Sequence, residues 1–390
     1  VTAFLSRPGV LCALGGGADE VRAGLFASAP GGVAPSDFFS AERPLALGRV
    51  WSHLPCIEAS AQEFHSRNNA LLAHAAEQLK PELEALVARV GPARIGVVIG
   101  TSTSGIAEAE LSLAEFQHTG HLSHGYHYAQ QELGSPARFL AAHLGLAGPT
   151  SVVSTACSSS AKALASAARW LEAGLVDAVL TGGADTLCRF TIAGFAALDS
   201  VSDARCNPMS RNRRGINLGE AATLFIMTRD GGPVRLAGWG ETSDAHHMSA
   251  PEPSGRGAAE AMTRALARAQ VAPAAVDYVN LHGTATPQND AMESRAVAQV
   301  LGLEVPVSST KPLTAHTLGA AGALEAAFSW LTLTGQGELP PHWWDGERDE
   351  GLPAVRLVAP GEKAARPPRV VVSNSFAFGG SNASLVFVKE

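Results

Sequence analysis

Cys157 stands at the joint of an apolar run and an alanine-rich one, in "VVSTACSSSAKALASA" (152–167). A strand turning sharply into a helix there leaves the thiol beside unpaired backbone N–H groups and the positive end of a helix dipole. Both favour the thiolate, which is the nucleophile. The dipole contributes only ~0.3–1 kcal/mol, so other groups must assist. A lone cysteine is more commonly a buried structural residue. Position on a strand-to-helix elbow is what favours a nucleophile here.

Three more strand-like runs end in residues able to do chemistry, and ligands of open α/β sheets collect beyond such carboxyl ends. In "NLHGTATPQND", His282 follows an apolar run and precedes a Gly-Thr turn that can aim its ring into a cleft. A histidine satisfied by local turn bonds fits that stretch equally well. In "SSTKPLTAHTLGAAGALEAA", Lys311 and His316 lie in a loop and Glu325 in the helix that follows. A lysine near an imidazole disfavours imidazolium and favours a neighbouring thiolate. In "SNSFAFGGSNAS", Phe376 and Phe378 flank Ala377, and Gly379 and Gly380 follow. Such a loop can turn backbone N–H groups towards an oxyanion while the rings exclude water. Cysteine with histidine is a pattern of nucleophilic catalysis. Two histidines that both donate hydrogen bonds suit negative charge on a carbonyl oxygen, as in decarboxylation to an enolate.

The elements that position these groups alternate along the chain. Strand-like "RIGVVIG", "TSVVSTA", "DAVLTGGAD", "AATLFIMTR", "VDYVNLHG", "VPVSST", "RVVVSNSFAFGG" and "NASLVFVK" are separated by segments that include helix-like "SPARFLAAHLGLAGP", "SSAKALASAARWLEAG", "GAAEAMTRALARAQ", "DAMESRAVAQVLG" and "LGAAGALEAAFSWLTL". That order defines an α/β fold, with strands apolar enough to be covered on both faces. The turn-rich "MTRDGGPVRLAGWGE" marks a boundary between two lobes, 1–235 and 236–390. "HWWDGERDEG" reads as solvated surface.

The chain has 390 residues, 46% apolar and 17% charged. A typical domain carries roughly 25% charged residues, so a large interior is expected. A formal charge of −7 without basic runs argues against a nucleic-acid surface. Five cysteines, Cys12, Cys56, Cys157, Cys188 and Cys206, lack metal-like spacing and read as reduced thiols of a cytoplasmic protein. No apolar run reaches the ~20 residues of a membrane-spanning helix, so no membrane insertion is expected.

The motifs "STACSSS", "HGTATPQND", "SSTKPLTAHTLGAAGALE" and "NSFAFGGSNAS" resemble, in order and spacing, those of the β-ketoacyl-acyl-carrier-protein synthases. These are the condensing enzymes of fatty acid and polyketide assembly, and the likeness is closest to the synthase I/II branch. The resemblance implies a thiolase-like, five-layered αβαβα fold built from two similar halves. The first half carries the cysteine, and the second carries the histidines, lysine and glycine-rich loop. It implies that Cys157 receives an acyl chain as a thioester and that His282 and His316 bind the malonyl thioester carbonyl and promote loss of CO2. Lys311 and Glu325 would be a supporting polar pair. The N–H groups of Cys157 and Phe378 would form the oxyanion hole, with Phe378 as a gate. Thr284 and Thr286 would hold the phosphopantetheine arm, alongside Phe376, Gly379 and Gly380. The partner implied is an acyl carrier protein, in a homodimer or in a heterodimer with a related subunit. No metal, nucleotide or redox cofactor is implied. A thiolase and a non-catalytic subunit of a ketosynthase pair are the alternatives. The histidines with Lys311 disfavour the first, and an intact Cys157 disfavours the second.

The chain departs from that family at specific places. Ala315 stands where glycine usually precedes the second histidine. Met209, Ser210, Ile216 and Asn217 replace the usual residues of "NPMSRNRRGINLGEAA", which is similar to synthases of aryl-polyene pathways. "RNNALLAHAA" is poor in basic residues, and Asp199 stands where a basic one is common. Together these point to a specialised pathway and carrier. Outside the motifs, His118, His121, His124 and His127 recur every third residue. Gly120 and Gly125 break any helix that would align them for a metal, so they read as a polar loop over the cleft or a dimer surface.

Overall fold

The computed structural model describes residues 3–40, 42–57 and 61–390. Among them, strands in the first half run side by side in the order Phe4–Leu5, Ala221–Thr228, Ala178–Asp185, Ile95–Gly100 and Thr150–Val153. Gly9–Leu11 pairs separately with Ala221–Thr228. The second half runs Val234–Ser243, Ser381–Lys389, Val370–Ala377, Tyr278–Asn280, Pro306–Ser308 and Arg356–Leu357. Phe4–Leu5 pairs antiparallel with strands of both halves and joins them edge to edge. The two halves share a plan. Each has parallel strands on its outer side and an antiparallel pair, 178–185 with 221–228 or 370–377 with 381–389.

Side chains along these strands alternate between two cores, as the period-2 pleat requires. Val98, Val179, Phe225, Val371 and Phe387 enter a central core with helices Ser159–Glu172 and Ala321–Leu333. Their neighbours Val97, Ile99, Leu180 and Leu224 face an outer core under helices Arg67–Glu77 and Ser135–His143. Val279, Val372 and Val386 face a second outer core with helices Arg256–Ala269 and Pro287–Leu301. Both central helices touch strands of both halves. The layers are therefore αβαβα, the expected five-layered arrangement.

Helix Ala321–Leu333 is apolar on nearly every side because sheet covers both of its faces, whereas Ser159–Glu172 brings Arg169 and Glu172 to the surface at its end. They also cross closely. A Cβ on Gly322 would lie 2.7 Å from the Ala161 backbone nitrogen, and one on Gly100 2.3 Å from that of Ser160. This packing fixes the start of the helix after Cys157.

Two sequence expectations need correction. "VRLAGWGE" is not turn but part of the long strand Val234–Ser243, which begins just before position 235. Its glycines admit a helix rather than a bend. A Cβ on Gly238 would lie 2.2 Å from the Ala265 carbonyl oxygen, and one on Gly240 1.9 Å from that of Ala261. "HWWDGERDEG" is also more than solvated surface. Asp349 pairs with Arg213 and Glu347 with Arg211, and Asp345 accepts from Ser210 and Asn212. The loop thus clamps the variant segment "MSRNRR".

Candidate active site

Strand ends from both halves meet at one cavity of about 220 Å³. Cys157, His282, His316, Thr284, Thr286, Phe376 and Phe378 all line it, with Phe195, Leu198, Ser200 and Ile216 forming an apolar side. Lys311 and Glu325 sit behind the cavity wall, and Gly379 and Gly380 lie in the adjoining loop.

Cys157 immediately precedes the helix Ser159–Glu172 and its N-cap Ser158. Ala156 before it has φ 51°, a left-handed conformation that sharpens the elbow. The turn is held by the Ser158 hydroxyl donating to the Thr155 carbonyl and by Ser159 Oγ accepting from the Thr155 N–H. The thiol is buried, and that burial pushes its pKa up to about 12. Lys311 and the N–H groups of Phe378 and Cys157 itself pull it down but do not prevail. The resting group is the thiol, where sequence position suggested a thiolate. Burial outweighs the dipole.

Cys157 Sγ and one ring nitrogen of each histidine lie within 4.8 Å of one another. The imidazoles meet edge to face, with centroids 5.2 Å apart and planes at 83°. Both are buried, and burial followed by the Lys311 charge lowers both pKa values well below the usual histidine value. They are neutral, so each keeps one N–H and one lone pair. His282 Nδ1 and both ring nitrogens of His316 are buried without a hydrogen-bond partner among the described residues. Buried orphans of this kind cost free energy unless a ligand meets them.

The backbone at each histidine is held separately. Glu293, on the inner face of helix Pro287–Leu301, accepts from the His282 and Gly283 N–H groups at 2.8 and 2.7 Å. Burial raises that carboxyl to about 7, against those two bonds. His342 accepts the Ser309 N–H at Nδ1 and donates from Nε2 to the Pro208 carbonyl. Burial lowers its pKa to about 4. Lys311 Nζ pairs with Glu325 Oε1 at 2.6 Å, with the two side chains 2% and 3% exposed.

The glycine-rich loop carries left-handed φ values of 79° at Gly379 and 69° at Gly380. The Gly379 N–H donates to the Met248 carbonyl, and the Asp244 N–H to the Gly380 carbonyl. The Phe378 ring stands 5.4 Å from that of Phe195, and the Phe376 ring 6.3 Å from His282. Thr284 Oγ1 and Thr286 Oγ1 lie 2.9 Å apart on the wall.

Sequence reasoning missed Asp185, at the carboxyl end of "DAVLTGGAD". It is fully buried and accepts from Thr101, Ser102, Thr103 and the Gly319 N–H. It ties the first half to the loop after His316, and an acid closing an apolar strand was its signal. Glu293 and Asp290, an i,i+3 acid pair on one helix face, were legible in the same way. The four exposed histidines 118–127 form no donor cluster among the described residues. His118 caps its own helix and His127 accepts from the Ala129 N–H.

Two similar layered halves and a buried Cys-His-His cavity define a condensing enzyme of the thiolase-like class. Residues 49–231 match the β-ketoacyl synthase N-terminal domain and residues 234–343 the C-terminal domain. The chain belongs to the β-ketoacyl synthase family, which are acyltransferases. It is 31% identical over 340 residues to a 3-oxoacyl-[acyl-carrier-protein] synthase 2 of Synechocystis sp., covering 81% of this chain and 80% of that one. It superposes with TM-score 0.95 and 44% identity on a chain of the solved ketosynthase (ApeO) in complex with its chain length factor (ApeC) from Xenorhabdus doucetiae, covering 100% and 98% of the two chains. A β-ketoacyl synthase from Burkholderia phymatum superposes with TM-score 0.89 at 27% identity, covering 100% and 99%.

Proposed function

We propose that the protein is a 3-oxoacyl-[acyl-carrier-protein] synthase catalysing decarboxylative Claisen condensation. The observation that carries this is the Cys157 thiol facing two neutral, unpartnered imidazoles in one cavity. Cys157 attacks the acyl thioester, and its proton passes by way of a neutral imidazole to the departing phosphopantetheine thiolate. Malonyl thioester then enters with its phosphopantetheine arm held against the Thr284 and Thr286 hydroxyls on the cavity wall. Its carbonyl oxygen accepts N–H bonds from His282 and His316, the bond to the carboxylate breaks, and CO2 leaves the electron pair as an enolate. The enolate carbon attacks the Cys157 thioester. The oxyanion formed lies at the Cys157 and Phe378 N–H groups, each donor contributing roughly 3 kcal/mol. Collapse expels the Cys157 sulfur as a thiolate, which takes up one proton from water to restore the thiol. Burial, helped by the charge of Lys311 fixed by Glu325, keeps both imidazoles neutral. Phe378, on the loop tied to Met248, gates the entry. No metal or redox group is used, and the substrates ride the carrier's arm.

The carrier is a dedicated one in this reading. Arg67, the cation of "RNNALLAHAA", is committed to Glu220 at 2.6 Å and is not free for an acidic partner. The product class is a specialised, aryl-polyene-like chain, supported by the variant segment "NPMSRNRRGINLGEAA". The likeness to the ApeO–ApeC complex supports a heterodimer with a related subunit over a homodimer. The terminal strand Thr150–Val153 has one free edge, and Leu111, Leu113, Phe116 and Phe190 are exposed. Free cysteines throughout the described residues suit the cytoplasm. The halves 1–235 and 236–390 supply the nucleophile and the histidines respectively.

The test is intact mass after incubation with acyl carriers, then product analysis with malonyl carrier. One acyl mass on the Cys157 peptide and a β-ketoacyl product are expected. Acylation undiminished in Cys157→Ala would reject the assignment.

A further inference from the structure

Asn217 is fully buried, and both polar atoms of its side chain are bonded. Oδ1 accepts the Cys206 N–H at 2.6 Å, and Nδ2 donates to the Ser202 and Ala204 carbonyls at 3.1 and 2.8 Å. One side chain therefore ties down the segment 202–206. The asparagine backbone has a different partner. Its carbonyl accepts the His316 N–H at 2.8 Å, and the Gly219 N–H donates to the His316 carbonyl at 3.0 Å. His316 is thus bridged in parallel to Leu218. It forms an added rung on the small sheet of Val33–Ser36, Leu45–Gly48 and Leu218–Gly219. On the preceding residue, the Ile216 N–H donates to the Ser200 carbonyl at 2.7 Å, and its own carbonyl accepts from Ser202 at 2.8 Å. Ile216 and Ser200 both line the cavity.

An apolar residue of the same shape would pack here but leave the Cys206 N–H and two carbonyls without their partners. A satisfied buried amide instead selects one geometry for everything bonded to it. The geometry points to Asn217 as the positioning residue of His316, locking its backbone to the Ser200–Ile216 wall of the acyl cavity. This rests on the reading of His316 as a donor to the malonyl carbonyl. Donors of that kind lose effect steeply when displaced, by up to about a hundredfold for an ångström.

The experiment compares Asn217→Val and Asn217→Ser with wild type in the two half-reactions, using the intact assembly. Malonyl-carrier decarboxylation should fall about tenfold or more in Asn217→Val, with kcat rather than KM carrying the loss. Acylation of Cys157, followed by intact mass, should stay within about twofold, because the thiol and its elbow are held by other bonds. Asn217→Ser, small and still able to bond, should lie between and guards against a folding failure in the valine variant. Equal losses in both half-reactions, or none in decarboxylation, would overturn the inference. His316→Ala is the control for the underlying reading. If it retains decarboxylation, that reading fails. If it loses decarboxylation while both Asn217 variants keep theirs, only the positioning role fails.

Discussion

The imidazoles of His282 and His316 stand edge to face, 5.2 Å apart at 83°, with burial and then the Lys311 charge lowering the pKa of each. One ring comes from the loop after Tyr278–Asn280 and the other follows Pro306–Ser308 by way of the short helix Lys311–Thr314, where the sequence suggested a loop; the two strands are parallel neighbours in the sheet. Adjacent strand ends thus place two neutral donors on one point of the cavity. Neutrality matters because two imidazolium ions so close would repel, and neither could accept a proton from the thiol.

The two half-reactions should separate. His282→Ala and His316→Ala each remove one donor to the enolate oxygen, a loss of about 10²–10³ in decarboxylation. The elbow, helix N-terminus and Phe378 N–H remain, so acyl transfer to Cys157 should persist in part. Rates of CO2 release and of acyl-enzyme formation check this. Intact decarboxylation with abolished acyl transfer would reverse the assigned roles.

The thiol should behave as a thiol. With its pKa pushed up to about 12 by burial, the thiolate fraction at pH 7 is small and grows about tenfold per pH unit. Alkylation of Cys157 by iodoacetamide should climb across pH 7 to 9 without a plateau. A flat profile would mean a resting thiolate–imidazolium pair, which the depressed histidine pKa values disfavour.

Lys311 and Glu325 are coupled by burial. Lys311→Met leaves the Glu325 carboxylate without its partner and should cost about 3–5 kcal/mol of stability. Lys311→Met with Glu325→Leu removes both charges and should recover most of that in a denaturant titration. Decarboxylation at pH 6 should stay below that of wild type in the double variant, because the Lys311 charge that adds to burial in depressing both imidazole pKa values is gone. Restored stability with restored decarboxylation would make the pair purely structural.

Cys157 and His282 were legible because each closes an apolar run, and His316 because it follows one in the same motif; a strand's carboxyl end is where such sheets present chemistry. The alternation of elements gave the layered class for the same reason. What escaped depended on contacts between distant segments. Gly238 and Gly240 look like turn residues until the helix Arg256–Ala269 is laid across them. The Cys157 ionisation was misjudged because a helix dipole can be read locally, whereas burial is set by the whole fold. Asn217 read only as one of the departures that point to a specialised pathway and carrier. Its partners Cys206 and His316 come together only in the folded sheet.

His342 should make the protein acid-sensitive. Its folded pKa of about 4 lies below the unfolded value of 6.5. Below pH 6.5 the unfolded chain binds the proton first, so this residue's contribution is complete above 6.5 and is lost as pH falls towards 4. The loss is bounded by about 3–4 kcal/mol, from roughly 1.4 kcal/mol per pH unit. Chemical denaturation of wild type and His342→Gln between pH 7 and 4.5 isolates it from other titrating groups. Parallel stability curves for the two proteins would show that His342 does not contribute.

Ala315 occupies backbone that only glycine enters freely, with φ 61° and ψ −178°. Such a residue stores about 1–3 kcal/mol. Its methyl is admitted because Gly48 and Gly219 lack side chains, and a Cβ on either would lie 3.0 Å from it. It packs in a small cluster with Val33 and Ala46. Ala46 is the matched control, since it is 5% exposed in the same cluster but sits in an ordinary strand. Ala315→Gly and Ala46→Gly each remove one buried methyl and each add glycine's unfolded-state freedom. Only the first releases strain. Ala46→Gly should therefore destabilise by about 1–3 kcal/mol more than Ala315→Gly. Decarboxylation should survive Ala315→Gly, because the His316 backbone keeps its bonds to Asn217 and Gly219. Equal losses of stability in the two variants would mean that the turn before His316 is relaxed, and that alanine there carries no strain for the rest of the fold to offset.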